Sequence, residues 1–288
     1  MWTRCIVRHL LVLLATLFLG GLLGATLVRI GPGFGVDERE LDTRLHNESI
    51  HSIRQSRAGE KDILQYYAQF LAGVLHGDLG VSHSLGRPVS ELFRERVPVT
   101  FRWLLFGLLG GWLFGFVLAL PGAACRGWAF DLAATMVSGL FLCLPVAALA
   151  ILLLYIGGPG PLAIAAVVFP RIFRYSRNLF LQAYNVPHVL TARAKGLRGT
   201  RILFFHVLPG VAPQLLALAA TSVSVGLSAT IPIEAICDSP GIGQLAWQAA
   251  LGRDLPVLVN VTLFVTLITL TMSSLSDLAG KTFLRNAA

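Results

Sequence analysis

The residues best suited to chemistry lie in one basic segment, residues 190–209 (LTARAKGLRGTRILFFHVLP). The segment contains no Asp or Glu, and it carries four cationic residues: Arg193, Lys195, Arg198 and Arg201. Such a cluster can pair with acidic groups of a protein partner or with anionic lipid. Gly196 permits a positive-φ exit from a short helix. The segment therefore predicts electrostatic docking, not the making or breaking of bonds.

The motifs of catalysis and nucleotide binding are absent from the sequence. There is no G-x-x-x-x-G-K-[ST] phosphate loop, no G-x-S-x-G elbow and no H-E-x-x-H helix. The four cysteines stand apart without a CxxC pair, and the histidines are scattered. We therefore expect no catalytic residue, no metal site and no cofactor bound by this chain.

The composition of the whole chain indicates whether water or lipid surrounds it. Of the 288 residues, 55% are hydrophobic and only 13% are charged, and the mean hydropathy is +0.71. Soluble globular proteins have about 25% charged residues. The net charge of +8 could suggest nucleic acid, but the charges punctuate apolar runs and form no exposed stripe. We therefore predict an integral membrane protein.

The apolar runs predict an all-α fold with six transmembrane helices. A helix needs about 20 apolar residues to cross the hydrocarbon core. The predicted spans are 10–28, 103–125, 132–156, a fourth that begins at 162, 211–233 and 255–276. Because Arg4 and Arg8 precede it, the first run could be a signal peptide, but no clear A-x-A cleavage site follows, so we favour an uncleaved span.

The distribution of Lys and Arg predicts the orientation. Residues 171–201 contain seven Lys or Arg and no acid, which places them in the cytoplasm. Arg4 and Arg8 place the N-terminus on the same side, so a fourth span must return the chain before this segment. Lys281 and Arg285 place the C-terminus in the cytoplasm as well. The polar residues between the first two spans are then extracytoplasmic.

The predicted spans contain few ionisable residues. Spans 2, 3, 5 and 6 carry no charge at mid-depth, whereas proton- or sodium-coupled carriers usually keep one there. We interpret Asp131 and Glu234, at span ends, as interfacial. Pro145 and Pro232 are predicted to kink spans 3 and 5.

The spacing of the basic segment resembles the cytoplasmic loop of permease subunits of binding-protein-dependent ABC importers, E-A-A-x3-G-x9-I-x-L-P. The positions of this pattern are occupied in order by Leu190, Thr191, Ala192, Gly196, His206, Leu208 and Pro209. Leucine thus replaces the first glutamate, and histidine replaces the isoleucine. The sequence TARAKGL is similar to the variant of this loop that occurs in dipeptide and oligopeptide permeases.

Two further segments resemble the same subfamily. They are HGDLGVSHSLGRPVSELFRERVPVTF before the second span and DSPGIGQLAWQAALGRDLPVL before the last. With the basic segment they cover most of the chain from about Gly73. The chain therefore resembles a permease subunit of the dipeptide, oligopeptide and nickel permease family.

The resemblance implies a type I ABC importer permease in the cytoplasmic (inner) membrane that translocates short peptides. The implied partners are a second permease subunit in a heterodimer, two ATPase subunits that bind ATP-Mg, and an extracytoplasmic substrate-binding protein. The chain itself would be no enzyme. A permease for nickel or another small solute is the alternative within the family, and a stand-alone channel or secondary carrier is the alternative outside it.

The resemblance also divides the chain and assigns its sites. We divide it into an N-terminal helix (1–28), an extracytoplasmic segment (29–98) and a five-helix core (99–288), which contains a coupling loop (185–209). The implied ATPase-coupling residues are Thr191, Ala192, Arg193, Ala194, Lys195, Gly196, Leu197, Leu208 and Pro209. The implied binding-protein contacts are Ser239, Pro240, Gly241 and Gly243. The alternatives are an ordinary basic interfacial helix and a tight connector, respectively.

Overall fold

The structure, a computed structural model, describes residues 77–124 and 128–287, together with six isolated residues at 11, 15, 18, 19, 26 and 73. Most of the predicted first span (10–28) and of the extracytoplasmic segment up to residue 76 lies outside the described residues. The predictions for these parts therefore stay predictions.

The described chain is a succession of helices joined by short turns. The helices are α1 (Val89–Ala124), α2 (Trp128–Cys143), α3 (Val146–Tyr155), α4 (Gly160–Ala183), α5 (Pro187–Ala194), α6 (Gly199–Ile202), a π-helix (Leu203–Val207), α7 (Leu208–Ile236), α8 (Ile242–Leu251) and α9 (Leu255–Ala287). This confirms the all-α prediction for the described part of the chain.

Helix α1 is longer than the span predicted for it. We predicted a span over 103–125, but one continuous helix of 36 residues begins at Val89. Pro98 lies inside it without ending it. A proline removes one backbone hydrogen bond and often kinks a helix, but it need not end one.

The predicted third span is wrong as a single helix. Helices α2 and α3 meet at a bend of 103°. Pro145 lies at the break, with an extended backbone at φ −58° and ψ 143°. It accepts the first hydrogen bond of α3 from the N–H of Leu149. The predicted kink at Pro145 is thus confirmed. Pro232, in contrast, lies inside the continuous helix α7.

Length and composition support a multi-pass membrane protein. Within the described residues, three stretches are long and apolar enough to cross a bilayer: Val89–Pro121, Gly199–Ile236 and Leu255–Gly280. The bent pair of α2 and α3 would make a fourth. Helix α4 is not among them, since it carries three arginines, so the count of six spans stays a prediction.

The described chain forms two compact units. The first contains the described residues up to Val97 and Leu245–Leu267, and the second contains Pro98–Gln244 and the described residues from Ile268. In the second unit, three glycines of α1 at four-residue intervals face α4. A Cβ atom at Gly107 would lie 2.6 Å from Ile164, and one at Gly115 would lie 2.6 Å from Ile172. The two helices therefore approach so closely that no side chain fits at these glycine positions of α1.

The order of these contacts gives the direction of the two helices. Gly107 faces Ile164 and Gly115 faces Ile172, so the residue numbers rise together along both helices. Helices α1 and α4 are therefore parallel.

Candidate functional site

The coupling loop begins with the short helix α5. Val186 precedes it with an extended backbone, and Pro187 occupies its first turn. Proline is favoured there because its fixed φ suits a helix and its missing N–H leaves no donor unsatisfied. The Thr191 hydroxyl donates a hydrogen bond to the Pro187 carbonyl oxygen at 2.9 Å. The first turn of the helix is thus defined by local sequence.

Gly196 ends the helix in the manner that the sequence predicts. Its φ is +74°. Its N–H donates to the carbonyl of Arg193 at 2.9 Å, and the N–H of Leu197 donates to that of Ala192 at 3.3 Å. This pair of bonds is the Schellman motif, in which glycine takes the left-handed position at no steric cost. The glycine of the loop pattern is therefore a structural requirement of the turn.

One side of α5 is anchored inside the second unit. Val189 is fully buried and Ala192 is 4% exposed, and both belong to a core cluster with Phe180, Tyr184 and Val207. Of the two alanines among the implied coupling residues, Ala192 packs its small side chain inside this chain, whereas Ala194 is exposed.

The other side of α5 presents cations and apolar groups to the surroundings. The exposed residues of the loop include Leu190, Thr191, Arg193, Ala194, Lys195, Gly196, Arg198, Arg201, Phe204, Phe205 and Pro209. The guanidinium of Arg193 lies over the ring of Tyr184, 5.2 Å from its centroid. Burial raises the pKa of the Tyr184 phenol, and the nearby Arg193 charge opposes this rise. Because no Asp or Glu occurs between Asp131 and Glu234, the surface has no acid of its own from these helices.

The coupling loop ends in a π-helical turn, which was not predicted from the sequence. Residues Leu203–Val207 form one turn of π-helix, after which α7 begins at Leu208 with Pro209 in its first turn. Single π turns often occur at functional sites. His206, at the isoleucine position of the pattern, lies in this turn, and its Nδ1 is buried with no hydrogen-bond partner in the described structure. No sequence signal for a π turn is evident here.

The second predicted site, residues 239–243, is an internal turn between α7 and α8. Ser239, Gly241 and Gly243 are buried, and only Pro240 of the four predicted contacts is exposed. Helix α8 begins within this turn, at Ile242, and occupies ten residues. The assignment of these four residues to a binding-protein contact stays a prediction.

Glu234 holds this turn together. We interpreted it as interfacial, but its side chain is 0% exposed. Its Oε2 accepts hydrogen bonds from the N–H groups of Gly243 at 2.7 Å and Gln244 at 3.4 Å. These are among the first N–H groups of α8, which have no partners within the helix and favour an anion. A Cβ on Gly241 would lie 2.2 Å from the same oxygen, so glycine is needed for the approach.

A second buried carboxylate, Asp254, was also missed from the sequence. It lies in the first unit at 0% exposure. Its Oδ2 accepts hydrogen bonds from the Ser82 hydroxyl at 2.5 Å, the Ser84 hydroxyl at 2.7 Å and the Ser84 N–H at 2.9 Å. Burial alone would raise the pKa of Asp254, but these bonds and one from the Val257 N–H hold it below its ordinary value. The carboxylate ties loop 77–88 to the start of α9.

Asp131, which we also interpreted as interfacial, forms an ion pair. The Arg177 guanidinium donates to both of its carboxylate oxygens, and both side chains are about one-quarter exposed, at 23% and 26%. One turn before Arg177 on α4, Arg174 donates a hydrogen bond to the Ser138 hydroxyl at 3.0 Å. These contacts join α4 to α2 in the second unit.

Comparison with known proteins finds similarity over most of the chain. The profile of the family described as binding-protein-dependent transport system inner membrane component matches residues 111–286. The chain is similar to a di/tripeptide transport system permease protein of Pseudomonas aeruginosa, with 26% identity over 95% of each chain. It is 26% identical to a glutathione transport system permease protein of Pectobacterium atrosepticum over 94% of each chain. A putative peptide transport system permease protein of Brucella suis is 25% identical over 80% of this chain and 82% of its own.

Proposed function

Because the chain belongs to the family of binding-protein-dependent transport system inner membrane components, we propose that it is a permease subunit of an ATP-driven importer of short peptides. Its relatives are named as permeases for di- and tripeptides, for peptides and for glutathione, which supports this substrate class. A permease for nickel or another small solute is the alternative within the family.

The observation that carries the proposal is the two-sided coupling loop. Its buried side fixes α5 to the core cluster through Val189 and Ala192. Its exposed side presents Lys195, Arg198 and Arg201. A motion imposed on α5 would therefore be transmitted to α4 and α7, which supply neighbouring core residues. ATP-Mg binds to two partner ATPase subunits, and closure of the ATPase dimer moves α5.

The proposed topology has six spans with both termini in the cytoplasm. Spans 2 and 4 should then run in the same direction, and the parallel packing of α1 and α4 supports this. Helix α4 is counted as a span despite its arginines, because its 24 residues cover about 36 Å at 1.5 Å per residue. In this proposal Arg171 lies within the span, and the cytoplasmic segment, predicted from the sequence as 171–201, begins only after Ala183. The segment 29–98 and the turn at Pro240 then lie outside, where the substrate-binding protein docks.

A second permease subunit completes the pathway. The described helices expose many large apolar side chains, among them Phe101, Leu113 and Met136. Lipid and a second permease subunit would cover such surfaces. A heterodimer with a similar but different subunit is the expected arrangement.

Charge reversal at the coupling loop tests the proposal. Lys195 and Arg198 are exposed, whereas Arg193 also stacks on Tyr184, so the variant is Lys195→Glu with Arg198→Glu. We expect co-purification of the ATPases and ATP-driven uptake to fall at least about tenfold, as for the loss of charged contacts in an interface. Arg102→Glu, a reversal at an exposed arginine of α1 outside both the coupling loop and segment 29–98, is the control. Unchanged assembly and uptake would reject the docking role.

A flux assay on the purified chain alone distinguishes a permease subunit from a stand-alone channel or carrier. In lipid vesicles without ATPase subunits, a permease subunit is inert. Peptide flux through the isolated chain would instead favour a stand-alone channel or carrier.

A further inference from the structure

One face of α4 is polar throughout its exposed part. Within 163–182 every exposed side chain is polar: Arg171, Arg174, Tyr175, Asn178 and Gln182. Their separations of three, four, seven and eleven residues place them on one face of a helix. We call these five residues the polar face of α4. Tyr175, at its centre, is 45% exposed.

The opposite face of α4 is occupied by the fold. Ile164 and Ile172 pack against the glycines of α1, and Phe173 and Phe180 are fully buried. With respect to the residues that the structure describes, the polar face is therefore the side of α4 in this region that is left uncovered.

Helix α1 has an exposed surface of a different kind. Its exposed large side chains include Phe101, Leu105, Leu109 and Leu113. Such a surface suits the hydrocarbon of a bilayer. Arginine, asparagine and glutamine are costly in hydrocarbon and in membrane proteins face water-filled cavities or other protein. The polar face of α4 is therefore suited to an aqueous path.

Arg171 differs from the two arginines that follow it. Arg177 is paired with Asp131, and Arg174 donates to Ser138. In the part of the chain that the structure describes, no hydrogen bond or ion pair is recorded for Arg171, and its side chain is exposed. It lies about 16 Å from the start of α4 at 1.5 Å per residue, about half of a hydrocarbon core. A permanent cation at that depth needs an anionic partner or water.

We propose that Arg171 binds the terminal carboxylate of the peptide as it crosses the membrane. This inference rests on the proposed function. A carboxylate is the one anion that every unblocked linear peptide carries, and guanidinium groups bind it through two parallel hydrogen bonds. Tyr175 and Asn178, one and two turns further along the same face, offer hydrogen bonds to the peptide backbone without selecting side chains. The site thus recognises the feature that short peptides share.

The main test uses the complete transporter, with its partner permease, ATPases and binding protein, in vesicles. Trialanine and trialanine amide are compared at saturating binding protein, and uptake by each variant is divided by wild-type uptake of the same peptide. We expect Arg171→Gln to reduce trialanine uptake about tenfold, as for the loss of one charge-assisted pair. Uptake of the amide should change less than twofold, and Arg171→Lys should retain part of the trialanine uptake. Arg102→Gln, at an exposed arginine of α1 outside the polar face, is the control.

The outcomes separate the proposal from its premises. An equal loss for both peptides, or no loss for either, would overturn the role of Arg171 while leaving an ATP-driven peptide importer intact. Transport that depends on phosphatidylglycerol in the wild type but not in Arg171→Gln, whatever the peptide, would assign the arginine to a lipid phosphate instead. A wild-type complex without ATP-driven trialanine uptake would reject the proposed function itself.

Water accessibility provides a second measurement that does not depend on transport of the amide. In a background with the four native cysteines replaced, Arg171→Cys and Asn178→Cys should react with a membrane-impermeant thiol reagent added to both sides, and saturating trialanine should slow the reaction at least fivefold. Leu109→Cys, on the apolar face of α1, should not react. An unreactive cysteine at 171 would show that the polar face is not aqueous and would overturn the proposal.

Discussion

The Glu234 carboxylate accepts a hydrogen bond from the N–H of Gly243 at 2.7 Å and so joins the end of α7 to the start of α8. The same glycine lies against the backbone of α7, where a Cβ would be 2.6 Å from the Thr230 carbonyl oxygen. The turn at 239–243 is therefore built on an anion buried beneath it and on glycines that allow the approach.

Replacement of Gly243 tests this packing. Gly243→Ala should lower the free energy of unfolding by about 1–3 kcal/mol, since its Cβ meets backbone that cannot move aside easily. Thermal unfolding in detergent measures the effect. Gly210→Ala is the matched control, because nothing lies within 4 Å of its Cβ position in α7. Equal unfolding temperatures for the two variants would contradict the proposed crowding.

Asp254 should make the stability of the first unit depend on pH. Its pKa is lowered in the folded protein, so the folded state binds fewer protons than the unfolded state as the pH falls. The contribution of the carboxylate is present above its unfolded pKa of about 3.9 and is lost as the pH falls through the lower folded value. The wild type should therefore lose stability below about pH 4, with a shallower pH dependence in Asp254→Asn.

The measurement is the unfolding temperature between pH 7 and pH 3 in a detergent that does not titrate. Asp277→Asn is the control, because Asp277 is exposed on α9. The same pH dependence in Asp254→Asn and in the wild type would exclude Asp254 as the source.

The ion pair between Asp131 and Arg177 predicts rescue by exchange. Asp131→Arg and Arg177→Asp should each destabilise the protein by about 1–3 kcal/mol, since each leaves a half-buried charge beside a like charge. The double exchange should recover at least half of the sum. Chemical or thermal unfolding of the four proteins gives the coupling energy. Additive losses would mean that the two side chains contribute independently.

Much of the architecture follows from local sequence, because local sequence sets where helices begin and end. The cluster GGPGP ends one apolar run, and α4 begins at Gly160 within it. Gly196 adopts positive φ as its position after a short helix predicts. The bend at Pro145 was likewise predicted. In contrast, the first part of α1 was not predicted, because only uncharged residues were used to define a span, whereas the start of α1 contains the charged stretch 91–96. Helix α8 was not predicted either, because its ten residues are too few for a span.

The candidate sites divide in the same way. Residue types alone indicated that 190–209 is a basic element, and its resemblance to importer permeases identified the family. Which side of α5 faces the core could not be predicted, because the partners of Val189 and Ala192 come from α4, α7 and the π turn. The roles of Glu234 and Asp254 were hidden for the same reason. Asp254 is separated from Ser82 by 172 positions in the chain.

The sequence by itself determined the solvent of this protein, its helical fold and its family, since apolar runs, turn residues and a spaced loop pattern are local properties. Only the tertiary structure decided which charged groups have polar partners within the chain and which remain available. Asp131, Arg174 and Arg177 are satisfied by contacts across helices, and Arg171 is left exposed on the polar face of α4. That distinction depends on which residues meet in space, and helix spacing in one dimension does not contain it.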